Sequence, residues 1–122
     1  MALMDYRFVN RAIAKRRCQG FFKLIVTDDD EMKIIGLRAV GDQASTTIES
    51  VALLIALKKG VRELANIIYP HPAITEGLQE CARMLLGKSI VKPQVFNRQL
   101  KCYRFKDGRI EDLFVKGLAL EQ

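Results

Sequence analysis

Apolar and polar residues along this chain mark out a small set of elements. Phe21-Phe22-Lys23-Leu24-Ile25-Val26 reads as a buried strand, and Met32-Lys33-Ile34-Ile35-Gly36-Leu37-Arg38-Ala39-Val40 as a second, closed by Gly41. The polar tip Asp28-Asp29-Asp30-Glu31 joins them. Two apolar runs separated by a short polar turn predict an antiparallel hairpin. The acidic tip lacks the spacing and central glycine of an EF-hand loop, so it is read as a solvated turn. Upstream, residues 6–15 show no clean period and are read as a strand running into the basic turn Lys15-Arg16-Arg17.

Helical patterning follows the hairpin. Thr46-Thr47-Ile48-Glu49 has the form of a capping box, with a hydroxyl at the N-cap and a carboxylate three residues on. The helix it predicts runs to Lys59 and contains seven consecutive apolar residues, 51–57. A helix with no polar face through two turns needs cover on every side. In so short a chain, that cover points to a second subunit or another domain. Lys58-Lys59-Gly60 supplies a C-terminal stop, with cations at the negative end of the dipole. Val61, Leu64, Ala65 and Ile68 fall at i, i+3, i+4 and i+7, which predicts a short amphipathic helix ended by Pro70. Pro72 suits the first position of a further helix. That helix reaches about Leu86, with Ile74, Leu78, Cys81, Ala82 and Leu85 on one face and Gly87 as its stop.

After Lys92-Pro93 the period changes again. Leu100 to Phe105 and Ile110 to Val115 flank Lys106-Asp107-Gly108-Arg109, a hairpin with Asp-Gly as a type I′ turn. The whole pattern predicts an α+β fold: an antiparallel sheet of three to five strands with helices packed on one face. The 122 residues make one domain, because a domain takes ~100–200 residues.

Charge alters this picture more than composition does. The net charge is +6, and it is unevenly spread. Residues 1–23 carry six basic residues and one acidic, residues 24–87 six and nine, and residues 88–116 eight and three. Basic flanks suit an acidic partner or nucleic acid, and equally a solvated surface. No helix-turn-helix, RRM or KH pattern accompanies them, so nucleic acid is not the expected partner. No apolar run approaches the ~20 residues that span a bilayer, and the first residues show no secretory pattern. Cys18, Cys81 and Cys102 are odd in number and widely spaced, and there is one histidine. No structural zinc site is therefore expected, and free thiols in a reducing, cytoplasmic setting are the simple reading.

That histidine stands in Tyr69-Pro70-His71-Pro72-Ala73-Ile74-Thr75-Glu76. The prolines on either side fix the backbone and remove two backbone donors. Helical positions five apart are ~140° apart around the axis. His71 precedes the helix, however, and is free of that constraint, so Glu76 is within its range. A carboxylate on one ring nitrogen fixes the tautomer and leaves the other nitrogen for proton transfer. The same spacing also suits a histidine that merely caps a helix.

His71-Pro72-Ala73-Ile74-Thr75-Glu76 resembles the His-Pro-Thr-x-Ser-Glu motif in the C-terminal dimerisation domain of the pyridine nucleotide-disulfide oxidoreductases. This is the family of dihydrolipoyl dehydrogenase, glutathione reductase and mercuric reductase. Gly20-Phe21-Phe22-Lys23 resembles its Gly-Phe-x-Lys strand. Residues 35–45, Ile-Gly-Leu-Arg-Ala-Val-Gly-Asp-Gln-Ala-Ser, resemble its strand-to-helix turn, and Val61-Arg62-Glu63-Leu64 its Val-x-x-Leu helix. The resemblance runs from about residue 20 to residue 86 and is greatest to dihydrolipoyl dehydrogenase. Ala73 and Thr75 stand where the family has Thr and Ser. Residues 88–122 form a basic extension beyond the core. An additional N-terminal strand region of the family is not recognisable before Tyr6.

The resemblance implies a domain that pairs about a two-fold axis as a homodimer. It also implies that His71, as acid/base, and Glu76, as its orienter, serve the partner's active site. The family's FAD and NAD(P) sit on separate flavin and nicotinamide domains, marked by Gly-x-Gly-x-x-Gly. This chain has neither that fingerprint nor a redox Cys-x-x-x-x-Cys, so no cofactor is expected in the chain itself. Two other readings remain: an orphan interaction or regulatory module of the same fold, and a small basic nucleic-acid-binding domain.

Overall fold

The computed structural model describes residues 1–114. A five-stranded antiparallel sheet has the order β3-β2-β1-β4-β5. Its strands are β1 (Ala2–Asp5), β2 (Gly20–Val26), β3 (Ile34–Gly41), β4 (Leu100–Lys106) and β5 (Arg109–Asp112). The helices are α1 (Asn10–Ala14), α2 (Ala44–Ala56), α3 (Val61–Asn66) and α4 (Glu76–Leu85). This is the expected α+β class, with helices on one face.

Both hairpins form as the pattern predicts. In the first, Phe22 faces Ala39 and Leu24 faces Leu37 across β2 and β3. In the second, Asp107 and Gly108 both have positive φ, 51° and 73°, as a type I′ turn requires. Val115, the expected last residue of that hairpin, lies outside the described residues. The hairpin is integral to the sheet: β4 pairs with β1, placing Ala2 opposite Cys102 and Met4 opposite Leu100.

The N-terminal segment departs from expectation. No strand occupies residues 6–15; Tyr6–Phe8 is one 3-10 turn and α1 follows. The strand lies earlier, at β1, in the middle of the sheet. Ala2 and Met4 on its inner side are fully buried. Four residues with two apolar ones inward give too short an alternation to stand out in a sequence. Tyr6 turns into the core beside the Gly20–Gly41 pair at the end of β2 and β3. A Cβ on Gly41 would meet the Tyr6 ring at 2.7 Å, and the backbone there has φ +126°. Tyr6 packs on Phe22 with ring centroids 5.0 Å apart, and its hydroxyl donates to the Asp42 carbonyl at 3.0 Å.

The helix termini also depart in detail. α2 begins at Ala44, so Thr47 and Glu49 lie inside its first turns. No capping box forms; the Thr47 hydroxyl donates back to the Ala44 carbonyl at 2.7 Å. The left-handed residue that ends α2 is Lys58, φ 53°, whereas Gly60 precedes α3 with φ −90°. α3 stops at Asn66, which leaves Ile68 outside the helix and 95% exposed. Pro72 is not the first residue of α4, which starts four residues later. The predicted face of α4 is correct: Leu78, Cys81, Ala82 and Leu85 are all buried, with Ile74 beside them.

The core joins α4 to the inner sheet face through Met4, Phe22, Leu24, Leu78, Cys81 and Leu100. Gly77 lets α4 approach the sheet closely, since a Cβ there would lie 2.7 Å from the Phe22 ring. Residues 51–57 are covered on one side only. Val51 is buried, while Leu53 is 60% exposed and Ile55 and Leu57 are also exposed. Cys81 and Cys102 are free and buried; burial pushes the Cys102 thiol up to about 11 and the Cys81 thiol higher still.

Candidate functional site

The segment between α3 and α4 carries His71, and side-chain hydrogen bonds hold it. The Tyr69 hydroxyl donates to the Leu64 carbonyl at 3.1 Å. The Gln79 amide donates to the carbonyls of Ala65 at 2.9 Å and Ile67 at 3.1 Å. These bonds satisfy carbonyls that the end of α3 leaves open. The Glu76 carboxylate receives the Ala73 backbone N–H at 2.8 Å, closing the turn that opens α4.

The expected pair is formed. His71 Nδ1 lies 2.8 Å from Glu76 Oε1 and 3.1 Å from Oε2. Glu76 is the first residue of α4, where a negative charge is favoured by the helix dipole. An ionised carboxylate only accepts, so Nδ1 is the donor and Nε2 of the neutral ring carries the lone pair. The His71 side chain is 64% exposed. Together these features make a largely exposed imidazole with one nitrogen anchored and the other free of any protein partner among the described residues. That arrangement can take a proton from a ligand thiol or hydroxyl and return it.

The two predicted site residues are therefore in contact. The residues that hold them there, Tyr69 and Gln79, carried no sequence signal of that role. Gln79 is one polar position on an amphipathic helix, and only the packing of α3 on α4 gives its amide two carbonyls to bind.

Dinucleotides of the flavin and nicotinamide type bind in the crevice of a parallel βαβ sheet, at a helix N-terminus behind a glycine-rich turn. Every strand pairing here is antiparallel. The described residues thus do not fit either cofactor. Among the described residues, no group of three His, Cys, Asp or Glu side chains is placed to hold a metal ion. No described helix is long and apolar enough to cross a membrane.

Comparison with known proteins bears on this site. Residues 2–82 match the family model for the pyridine nucleotide-disulphide oxidoreductase dimerisation domain. The match begins well before Gly20, and so takes in β1 and α1. Dihydrolipoyl dehydrogenase 3 of Haloarcula marismortui is 30% identical over 86 residues, 70% of this chain and 18% of that protein. Mercuric reductase of Shigella flexneri is 33% identical over 93 residues, 76% of this chain and 14% of that protein. Dihydrolipoyl dehydrogenase of Geobacillus stearothermophilus is 35% identical over 80 residues, 66% and 17% of the two chains. The crystal structure of LpdA from Mycobacterium tuberculosis superposes with a TM-score of 0.65 at 26% identity, covering 70% of this chain and 18% of that one. The chain spans less than a fifth of the length of these relatives.

Proposed function

Because the chain belongs to the pyridine nucleotide-disulfide oxidoreductase dimerisation-domain family, we propose that it pairs with a second copy and lends His71 and Glu76 to an active site on the partner's side. The observation that carries this reading is Nδ1 held 2.8 Å from Glu76 Oε1 in a side chain that is 64% exposed. An exposed imidazole transfers protons usefully only where a facing surface excludes water and positions a substrate. The uncovered side at the end of α2, with Leu53 and, one turn on at the C-cap, Leu57, supplies apolar area for a self-complementary two-fold contact.

In this reading the site acts on a dithiol, as in a dihydrolipoyl dehydrogenase. His71 Nε2 accepts the thiol proton, and Glu76 balances the imidazolium that results. The thiolate then attacks one sulfur of a disulfide outside this chain. A new S–S bond forms, the old one breaks, and its second sulfur leaves as a thiolate. FAD and NAD(P) belong to flavin and nicotinamide domains that these residues do not form, and they would supply the electron transfer there.

A chimera tests the proposal. The chain replaces the corresponding C-terminal segment of the Geobacillus stearothermophilus dihydrolipoyl dehydrogenase. With dithiol substrate, His71→Gln in that chimera is expected to lower turnover by roughly 10²–10⁴, the usual contribution of a general acid/base. Full turnover by the His71→Gln chimera contradicts the assignment.

A further inference from the structure

The sheet face turned away from the helices carries a feature invisible in the linear charge pattern. Phe22, Leu24, Ala2, Met4, Leu100 and Cys102 are buried on the inner side. Strand pleating then puts their neighbours on the other face. There Arg38 stands opposite Lys23, Lys23 opposite Leu3, and Leu3 opposite Lys101. Three cations thus form one row across β3, β2, β1 and β4, spanning ~14 Å at the ~4.8 Å spacing of strands. Arg38 and Lys23 are direct cross-strand neighbours, and like charges so placed are destabilising. Among the described residues, none of the three forms an ion pair. Two carboxylates share this face by register, Asp5, which is bonded to Arg7, and Asp112, which stands opposite Tyr103, and neither pairs with any of the three cations.

Flat apolar groups flank the row. Arg38 lies over the Phe21 ring, 5.9 Å from its centroid. Along β4, Tyr103 and Phe105 follow Lys101 on the same face, and Phe105 is 68% exposed. Ile25, Tyr103 and Phe105 also line an apolar cavity of about 310 Å³.

We propose that this open sheet face binds single-stranded nucleic acid, with phosphates along the Arg38–Lys23–Lys101 row and bases stacked on Tyr103 and Phe105. Cations that track a backbone beside aromatic platforms are what sequence-tolerant single-strand binding requires. A second copy of the chain brings the same positive row and is repelled. An acidic protein surface would neutralise the cations but would leave the flat rings beside them without a matching partner.

Fluorescence anisotropy of the chain with a labelled oligodeoxythymidine, read across a salt series, tests this. Each phosphate contact on a single strand contributes a log–log salt slope of about −0.7. Replacing Lys23, Arg38 and Lys101 by Gln together is therefore expected to reduce the slope by about 2. Arg38→Gln alone, at an exposed position, should reduce it by about 0.7 and serves if the triple variant folds poorly. Phe105→Ala should weaken binding roughly 5- to 150-fold, the range for one stacked base. Lys58→Gln with Lys59→Gln, outside the row, should leave affinity and slope unchanged. The proposal is overturned by absence of binding at low salt, or by an unchanged slope in the row variants. Equal competition from a polyglutamate peptide or an abasic strand also overturns it.

Discussion

The side-chain amide of Gln79, on α4, donates to the backbone carbonyl of Ile67 at 3.1 Å, and to that of Ala65 at 2.9 Å. Those two bonds tie the end of α3 to α4 and fix where the chain departs toward His71. Gln79→Leu removes both donors while keeping a similar volume. The expected result is faster amide exchange across residues 65–73, with α4 itself unchanged. Uniform acceleration through the whole domain would show instead that Gln79 supports the fold at large.

Gly77 is set by contact rather than by backbone conformation. A Cβ at this position meets Phe22 at 2.7 and 2.9 Å and Val9 at 3.0 Å. Gly77→Ala is expected to destabilise the domain by ~1–3 kcal/mol, the usual effect of overpacking a core. Equilibrium urea unfolding measures it. An unchanged or raised midpoint would mean that α4 shifts at no cost.

Acid and alkali act on different groups. The Lys15 ammonium bonded to Asp42 holds that carboxyl below its ordinary range, and the Thr27 hydroxyl does the same for Asp29. At Asp5 partial burial opposes ionisation, but the Arg7 guanidinium more than offsets it and the carboxyl is again lowered. Stability from these groups is present above the ordinary value of 3.8 and is lost as pH falls through the lowered values. Burial pushes Tyr6 and Tyr69 up from 10.0 to about 12. Their contribution is present below pH 10 and disappears between about pH 10 and 12. Urea midpoints against pH should fall at both ends. Tyr69→Phe, which cannot ionise, should flatten the alkaline limb, and Asp42→Asn the acid one.

The exposed apolar side of α2 carries the assembly claim. Sedimentation equilibrium is expected to give twice the 13.8 kDa chain mass. Leu53→Glu, at a position 60% exposed within one chain, should return the monomer without unfolding it. A wild-type monomer at micromolar concentration, or a dimer indifferent to Leu53→Glu, places the contact elsewhere or removes it.

Much of this was legible from pattern alone. Both hairpins have long alternating or apolar runs on each side of a polar tip, and such runs leave few other pairings. α4 shows its buried face because ten residues complete almost three turns. β1 was not legible, since its four residues become a central strand only through pairing with β2 and β4, which are distant in sequence. The apparent capping box over residues 46–49 misled because Gln43, in a left-handed conformation, turns the chain into α2 earlier. Gly60 misled because Lys58 takes the left-handed conformation itself. At the site, the contact between His71 and Glu76 was within reach of the spacing, and the proton-transfer role proposed for the pair came from the family resemblance. The bonds from Tyr69 and Gln79 that hold their loop depend on how α3 packs against α4, which no local pattern records.

The central claim is that His71 offers Nε2 for proton transfer because Glu76 holds Nδ1–H. The chain has one histidine, so ¹⁵N NMR of the neutral imidazole reads its tautomer without overlap. The expected spectrum shows Nδ1 protonated and Nε2 bare, with Glu76→Gln shifting the tautomer mixture toward Nε2–H. A neutral ring protonated mainly at Nε2, and unaffected by Glu76→Gln, would contradict the pairing and the proton-transfer role built on it.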